Sequence, residues 1–142
     1  MQRFIFSRIS LFVIVALLLV FNVIGIASHW YTPTSHFDTL MHFLGGAWSA
    51  MFFLQVLHQV KLRPFARFLD QPFLAILSIV SFAALVGILW EFFEFSVDTF
   101  IVLPYGSERI QLGLVDTLSD IFFDLVGSFT LAALYVSSRR LQ

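Results

Sequence analysis

The chain has no cysteine and little charge, and its few basic residues sit in short scattered segments. Without cysteine there is no disulfide framework, no thiolate metal ligand and no covalent c-type haem attachment, so any metal must be held by oxygen or imidazole. Charged residues make up only 12% of the 142 positions against 59% hydrophobic, a balance that places the chain among membrane proteins. The eight Lys and Arg form no basic face, which excludes a nucleic-acid partner. Internal repeats and low-complexity tracts are also missing. What is abundant is apolar sequence in long runs, and the nineteen Phe read as lipid-facing and packing surface.

Four runs are long enough to cross about 30 Å of hydrocarbon at about 1.5 Å per residue. They cover about residues 9–28, 37–60, 73–98 and 115–136, and predict an all-α bundle of four transmembrane helices in a single integral membrane domain, 1–142. The first run follows Arg3 and Arg8 and ends in Gly25-Ile26-Ala27, small residues that would suit a signal-peptidase site. Its apolar stretch exceeds the about 7 to 15 residues of a signal h-region, so it reads as a retained span. His29 to His36, with Trp30, Tyr31 and Pro33, fits an interfacial connection. Lys61 to Arg67 is a basic turn, and Pro72 stands where a helix can begin. Residues 101–114 contain Pro104-Tyr105-Gly106 and read as a loop, re-entrant or lying in the interface.

Counting basic residues in each connection orients the bundle. Arg3, Arg8, Lys61, Arg63, Arg67, Arg139 and Arg140 fall on one side of a four-span layout, and only Arg109 on the other. The positive-inside rule then makes both termini cytoplasmic. In that frame the second helix enters from outside at Asp38 and His42, the third leaves past Glu91, Glu94 and Asp98, and the fourth re-enters at Asp116, Asp120 and Asp124. Eight polar groups on three helices therefore share one depth, near the outer face of the membrane.

Their spacing also gathers them in azimuth. Asp38 and His42 are i, i+4; Glu91, Glu94 and Asp98 are i, i+3, i+7; Asp116, Asp120 and Asp124 are i, i+4, i+8. Each set lies along one stripe of its helix. Seven carboxylates facing one another in a low-dielectric space cannot all be ionised unless a cation or shared protons compensate. Arg109 is the one protein cation at that depth, so a divalent metal is the economical answer. Oxygen ligands with one imidazole suit Mg, Mn, Ca, Fe or Zn, and the ligand surplus allows two ions. Asp38 and Asp116 also suit helix N-caps, and Glu91, Glu94 and Asp98 also suit a solvated helix end. Asp120 and Asp124 lie about 6 and 12 Å below Asp116, beyond the reach of capping. Trp90 reads as an interfacial anchor or a wall of the site, Gly45-Gly46 as small-residue helix packing, and His29, His36 and His58 as peripheral.

The order Asp-x3-His-Phe (Asp38, His42, Phe43), Trp-Glu-x2-Glu (Trp90, Glu91, Glu94) and Asp-Thr-x2-Asp-x3-Asp-x2-Gly (Asp116, Thr117, Asp120, Asp124, Gly127) resembles the YjdF-like family of small inner-membrane proteins. More distantly it is similar to the VanZ-like proteins associated with glycopeptide resistance, with Thr39 where a Lys is usual and Asp124 in the place of a typical Asn. The resemblance implies an inner-membrane location and a polar site, and supplies no reaction. CDP-alcohol phosphotransferases require an Asp-x2-Asp-Gly-x2-Ala-Arg element that this chain lacks, and UbiA-like prenyltransferases have about twice as many helices. Both families show what paired acidic motifs in a membrane can do, which is to hold metal ions that neutralise a phosphate.

The residues thus favour a membrane enzyme with an outward-facing metal site acting on a lipid-linked or isoprenoid phosphate. His42, Glu91, Glu94, Asp116, Asp120 and Asp124 form the metal set. Asp38 and Asp98 serve as catalytic carboxylates, with Asp38 a base or an orienting partner of His42, and Arg109 meets the phosphate. A cation- or proton-coupled transporter is the first alternative, although the inner half offers chiefly Asn22, Gln55 and His58 as a polar path. A non-catalytic membrane subunit or signalling partner is the second. The lipid bilayer is the expected partner in every case, and a homo-oligomer is compatible with all three.

Overall fold

The computed structural model describes residues 7–32, 35–60, 69–106 and 109–140. Every regular element among them is helical. Helix α1 spans Arg8–Ala27 and starts at Ser7, whose hydroxyl accepts the Ser10 N–H at 3.0 Å and satisfies one first-turn donor. It stops at Ser28, followed by His29 in the left-handed region at φ 53°. Helix α2 spans Phe37–Val60, its first N–H donated to the Ser35 hydroxyl at 3.1 Å. Helix α3 spans Pro72–Val97, with proline in the first turn, where no intrahelical N–H is needed. Helix α4 spans Leu114–Arg140.

Past Val97 the chain stays helical where the sequence reading places a loop. A wide π turn, Asp98–Val102, leads into a 3₁₀ turn, Leu103–Tyr105, and the run ends only at Gly106, at φ 68°. The apolar Phe100-Ile101-Val102-Leu103 segment favours continuing the helix in a greasy environment, and Pro104 at the start of the 3₁₀ turn costs no hydrogen bond. A glycine is needed at 106 because a side chain there would be strained at positive φ.

All four helices are long and apolar enough to cross a membrane. Helix α4 packs against both α2 and α3, which also touch each other, while α1 packs chiefly on α2. The triangle of α2, α3 and α4 encloses a small apolar core of Ala50, Leu54, Ile79 and Ala132. Small residues let α2 and α4 approach closely: a Cβ on Gly127 would run into the Phe43 carbonyl, and one on Gly46 into the Asp124 backbone. That is the membrane mode of helix association, where close van der Waals packing replaces a hydrophobic driving force. Phe92, Phe93, Phe95 and Phe100 are exposed on the outside of α3 and its extension.

Because successive helices alternate in direction, the clustered acids of the second, third and fourth helices gather at one end, while Arg8 and Arg139 lie at the other and Arg109 stays with the acids. At the basic end Arg139 donates to the Leu69 carbonyl at 2.7 Å and to Asp70 at 2.8 Å. Arg3, Lys61, Arg63 and Arg67, on which much of the charge count rests, lie outside the described residues, as do Pro33, Thr34, Ser107 and Glu108. Asn22 stands at the acidic end of α1, donating to the Tyr31 hydroxyl at 2.9 Å, and so does not belong to an inner polar path.

Candidate functional site

His42 is the hub. One turn below Asp38 on α2, its ring points into the bundle and is only 5% exposed. Its Nε2 lies 3.6 Å from Asp38 Oδ1, 4.0 Å from Glu91 Oε1 and 4.0 Å from Asp120 Oδ1, so α2, α3 and α4 each bring a carboxylate to the same nitrogen. The other nitrogen, Nδ1, lies 3.4 Å from Asp124 Oδ2. Two sets have ligand atoms that lie within 4.8 Å of one another: Asp38, His42 and Asp120, and His42, Glu91 and Glu94. Tetrahedral donors at about 2.1 Å from an ion stand about 3.4 Å apart. The separations around Nε2 exceed that by a few tenths of an ångström, an adjustment within the reach of side-chain rotation.

Further contacts fix several of these acids. Trp90 donates its indole N–H to Glu94 Oε1 at 2.8 Å, one helical turn along α3, so Trp90 walls the site and orients a member of it. Gln111 reaches in from the connection before α4, donating its amide to Glu91 Oε2 at 2.9 Å and to the Thr117 hydroxyl at 2.9 Å. The second Glu91 oxygen, Oε1, is the one buried side-chain polar atom among the described residues without a hydrogen-bond partner. It is also the oxygen that faces His42 Nε2. A buried oxygen stripped of water and left unpaired is costly, and such groups call for a partner such as an ion.

Asp98, Asp116 and Arg109 are not in either set of ligating atoms. Asp98 is buried, and its two oxygens accept the backbone N–H groups of Ile110 and Gln111 at 2.9 and 3.0 Å. That clasp holds the connecting segment against the end of α3 and so places Gln111. Asp116 is in the first turn of α4 rather than its N-cap, and accepts the N–H of Leu112, just before the helix, at 2.9 Å. Arg109 is exposed in the same segment.

Two contributors escaped sequence reasoning. Gln111 had no local signal, since its partner is twenty residues away on another element. Tyr31 lies beside the cluster with its hydroxyl bonded to Asn22, an amide in an otherwise apolar helix that was a legible hint. Burial, reinforced by Asp38 and Glu94, pushes the Tyr31 phenol well above its ordinary range, which keeps it protonated. A cavity of about 160 Å³ runs from Asp38, His42, Glu94 and Asp124 down between α1 and α3, walled by Leu18 and Val86.

Fold and site together define a four-helix membrane protein with a buried cluster of carboxylates around one histidine. A family model described as predicted membrane protein (DUF2238) matches residues 1–140, and the chain belongs to that family. An uncharacterised protein of Thermotoga maritima is 33% identical over 111 residues, which cover 78% of this chain and 53% of that protein. The chain therefore spans about half the length of this curated relative. No solved structure matches it.

Proposed function

We propose that this protein is a membrane enzyme whose His42-centred cluster holds a divalent metal and acts on a lipid-linked or isoprenoid phosphate. The observation that carries the reading is Glu91 Oε1, buried, unpartnered and turned toward His42 Nε2 between Asp38 and Asp120. A cation among these atoms supplies the missing partner and offsets the like charges at once. Asp38, Glu91, Glu94 and Asp120 join His42 as ligands. Asp124 takes the orienting role by accepting the Nδ1 proton, which leaves the Nε2 lone pair for the metal.

Such an ion supplies Lewis acidity toward a phosphoryl oxygen. Asp38 is the most exposed of the carboxylates around Nε2 and is placed to take or return a proton at the mouth. Arg109 lies in the same connection as Gln111, where its charge meets an arriving phosphate. The basic residues at the opposite end, Arg8 and Arg139 among them, support a site on the outer face of a bacterial inner membrane by the positive-inside rule. The motif order is compatible with a YjdF-like protein. Below the site the apolar core of Ala50, Leu54, Ile79 and Ala132 favours a one-sided centre over a path for ions through the bundle.

Metal measured by inductively coupled plasma mass spectrometry on detergent-purified protein tests this. Wild type is expected to carry stoichiometric metal, and Glu94→Ala with Asp120→Ala to carry none. Wild type that purifies and reconstitutes without any divalent ion would overturn the reading.

A further inference from the structure

We propose that the cleft between α1 and α3 is the tail subsite of this centre, receiving the hydrocarbon chain of a long-chain alkyl phosphate, saturated or prenyl, that enters sideways from the bilayer. The inference rests on the metal reading for the headgroup and on the cleft itself for the tail.

The cleft is polarised along its length. At one end stand Asp38, His42, Glu94 and Asp124; from the level of His42 downward the walls are Val15, Leu18 and Leu19 of α1, Val86 of α3 and Trp48 of α2, with Ser49 the exception. From Asn22 to Val15 along α1 is about 10 Å, and from His42 to Trp48 along α2 about 9 Å. The apolar part therefore runs parallel to the helices, in the direction lipid chains take. A free phosphate or a water-soluble metabolite has no use for such walls, whereas an amphiphile places each half against matching surface.

Its side is open because α1 packs chiefly on α2 and makes no comparable contact with α3 or α4. Its floor is closed. Trp48 lines the bottom, donates its indole N–H to the Leu11 carbonyl at 3.0 Å and stacks on Phe52 with ring centroids 5.4 Å apart. This contact ties α1 to α2 and stops the slot midway through the bundle. A chain lying in it brings its phosphate to the proposed metal-binding end at Asp38, His42 and Glu94, and leaves the remaining methylenes in the bilayer.

The full chain in lipid nanodiscs tests this with a photoreactive hexadecyl phosphate carrying a mid-chain diazirine, the labelled residues being mapped by mass spectrometry. Label is expected on Leu18, Leu19 and Val86. It should fall by about tenfold in Leu18→Trp or Val86→Trp, which fill the slot, and persist in Leu17→Trp on the lipid side of α1. Metal content should be unchanged in all three, which also certifies their folding. Unlabelled hexadecyl phosphate should compete, and hexadecanol and inorganic phosphate should compete poorly. Label spread over lipid-facing residues such as Phe92 and indifferent to both filling variants would overturn the subsite even in metal-loaded protein. Equal competition by hexadecanol would overturn the phosphate class. Cleft labelling that survives in protein shown to bind no metal would support the tail subsite while overturning the metal reading, so the two fail separately.

Discussion

The carboxylate of Asp124 on α4 occupies the notch that Gly87 leaves in α3. A Cβ at position 87 would collide with Asp124 Oδ2, the same oxygen that stands 3.4 Å from His42 Nδ1. Alanine at 87 can be accommodated only by turning that carboxylate away from the histidine. Gly87→Ala is therefore expected to keep its helical content and lose metal affinity by about 10- to 100-fold, the usual penalty for losing the partner that orients a ligating imidazole. Isothermal titration with Mn2+ or Zn2+ against wild type checks it, and unchanged affinity would show that Asp124 does not orient His42.

Gly46 makes the opposite kind of contact with the same residue. Here an added Cβ would meet the Asp124 backbone, which cannot swing aside as a carboxylate can. Gly46→Ala should push α2 from α4 and lower thermal stability by about 1–3 kcal/mol, the range of an overpacked core. Thermal denaturation in detergent, followed by the monodisperse fraction remaining in solution, measures it. A variant as stable as wild type would mean that the α2–α4 seam has slack.

What the sequence made legible, and what it hid, divides along the same physical line. Helical periodicity and a count of basic connections were enough to find four spans and to bring Asp38, His42, Glu91, Glu94, Asp120 and Asp124 to one depth, because both signals are local along the chain. Trp90 and Glu94, at i, i+4, were readable as neighbours for the same reason. The role of Asp98 was hidden because it depends on where residues 109–113 fold back, and no periodicity reports that. The division of labour between Nε2 and Nδ1 of His42 was hidden too, since it follows from side-chain directions on three helices and from glycines on two of them. The chain stays helical past the expected end at 98 because the acid there looked like a terminus, while the apolar residues after it kept the backbone in π and 3₁₀ turns.

The clasp at Asp98 makes a prediction that separates structure from chemistry. Its two backbone contacts, at 2.9 and 3.0 Å, hold residues 110 and 111 in place. Asp98→Asn keeps the shape, loses the charge and can accept only one of them well. Hydrogen bonds to a charged group contribute about 1.5–3 kcal/mol, so a loss of about 2 kcal/mol in stability is expected. Direct loss of a ligand is not, because Asp98 is outside the ligating sets. Denaturation midpoint and metal stoichiometry measured on one preparation distinguish the cases. A variant that is stable and metal-free would restore Asp98 to the centre.

Gln111 and Glu91 give the sharpest test, because one side chain holds the other in the position that leaves Oε1 unpaired. The Gln111 amide engages Glu91 Oε2 at 2.9 Å and the Thr117 hydroxyl at 2.9 Å, which sets the carboxylate plane and turns Oε1 toward His42. Gln111→Ala should leave a metal site of the same composition with looser geometry, and affinity should drop about 10- to 100-fold as for other residues that steady a ligand. Glu91→Gln should do more, because it replaces the unpaired anionic oxygen with a neutral group and removes a ligand outright. Its amide can also satisfy itself within the cluster, so the buried orphan disappears and the metal-free protein should be more stable than metal-free wild type. Chelator-stripped samples followed by thermal denaturation, with and without added Mn2+, read both effects. Wild type should gain strongly from the ion, Gln111→Ala less, and Glu91→Gln little or nothing. If the ion raised the midpoint of Glu91→Gln as much as that of wild type, the oxygen on which the proposed centre turns would have no part in holding it.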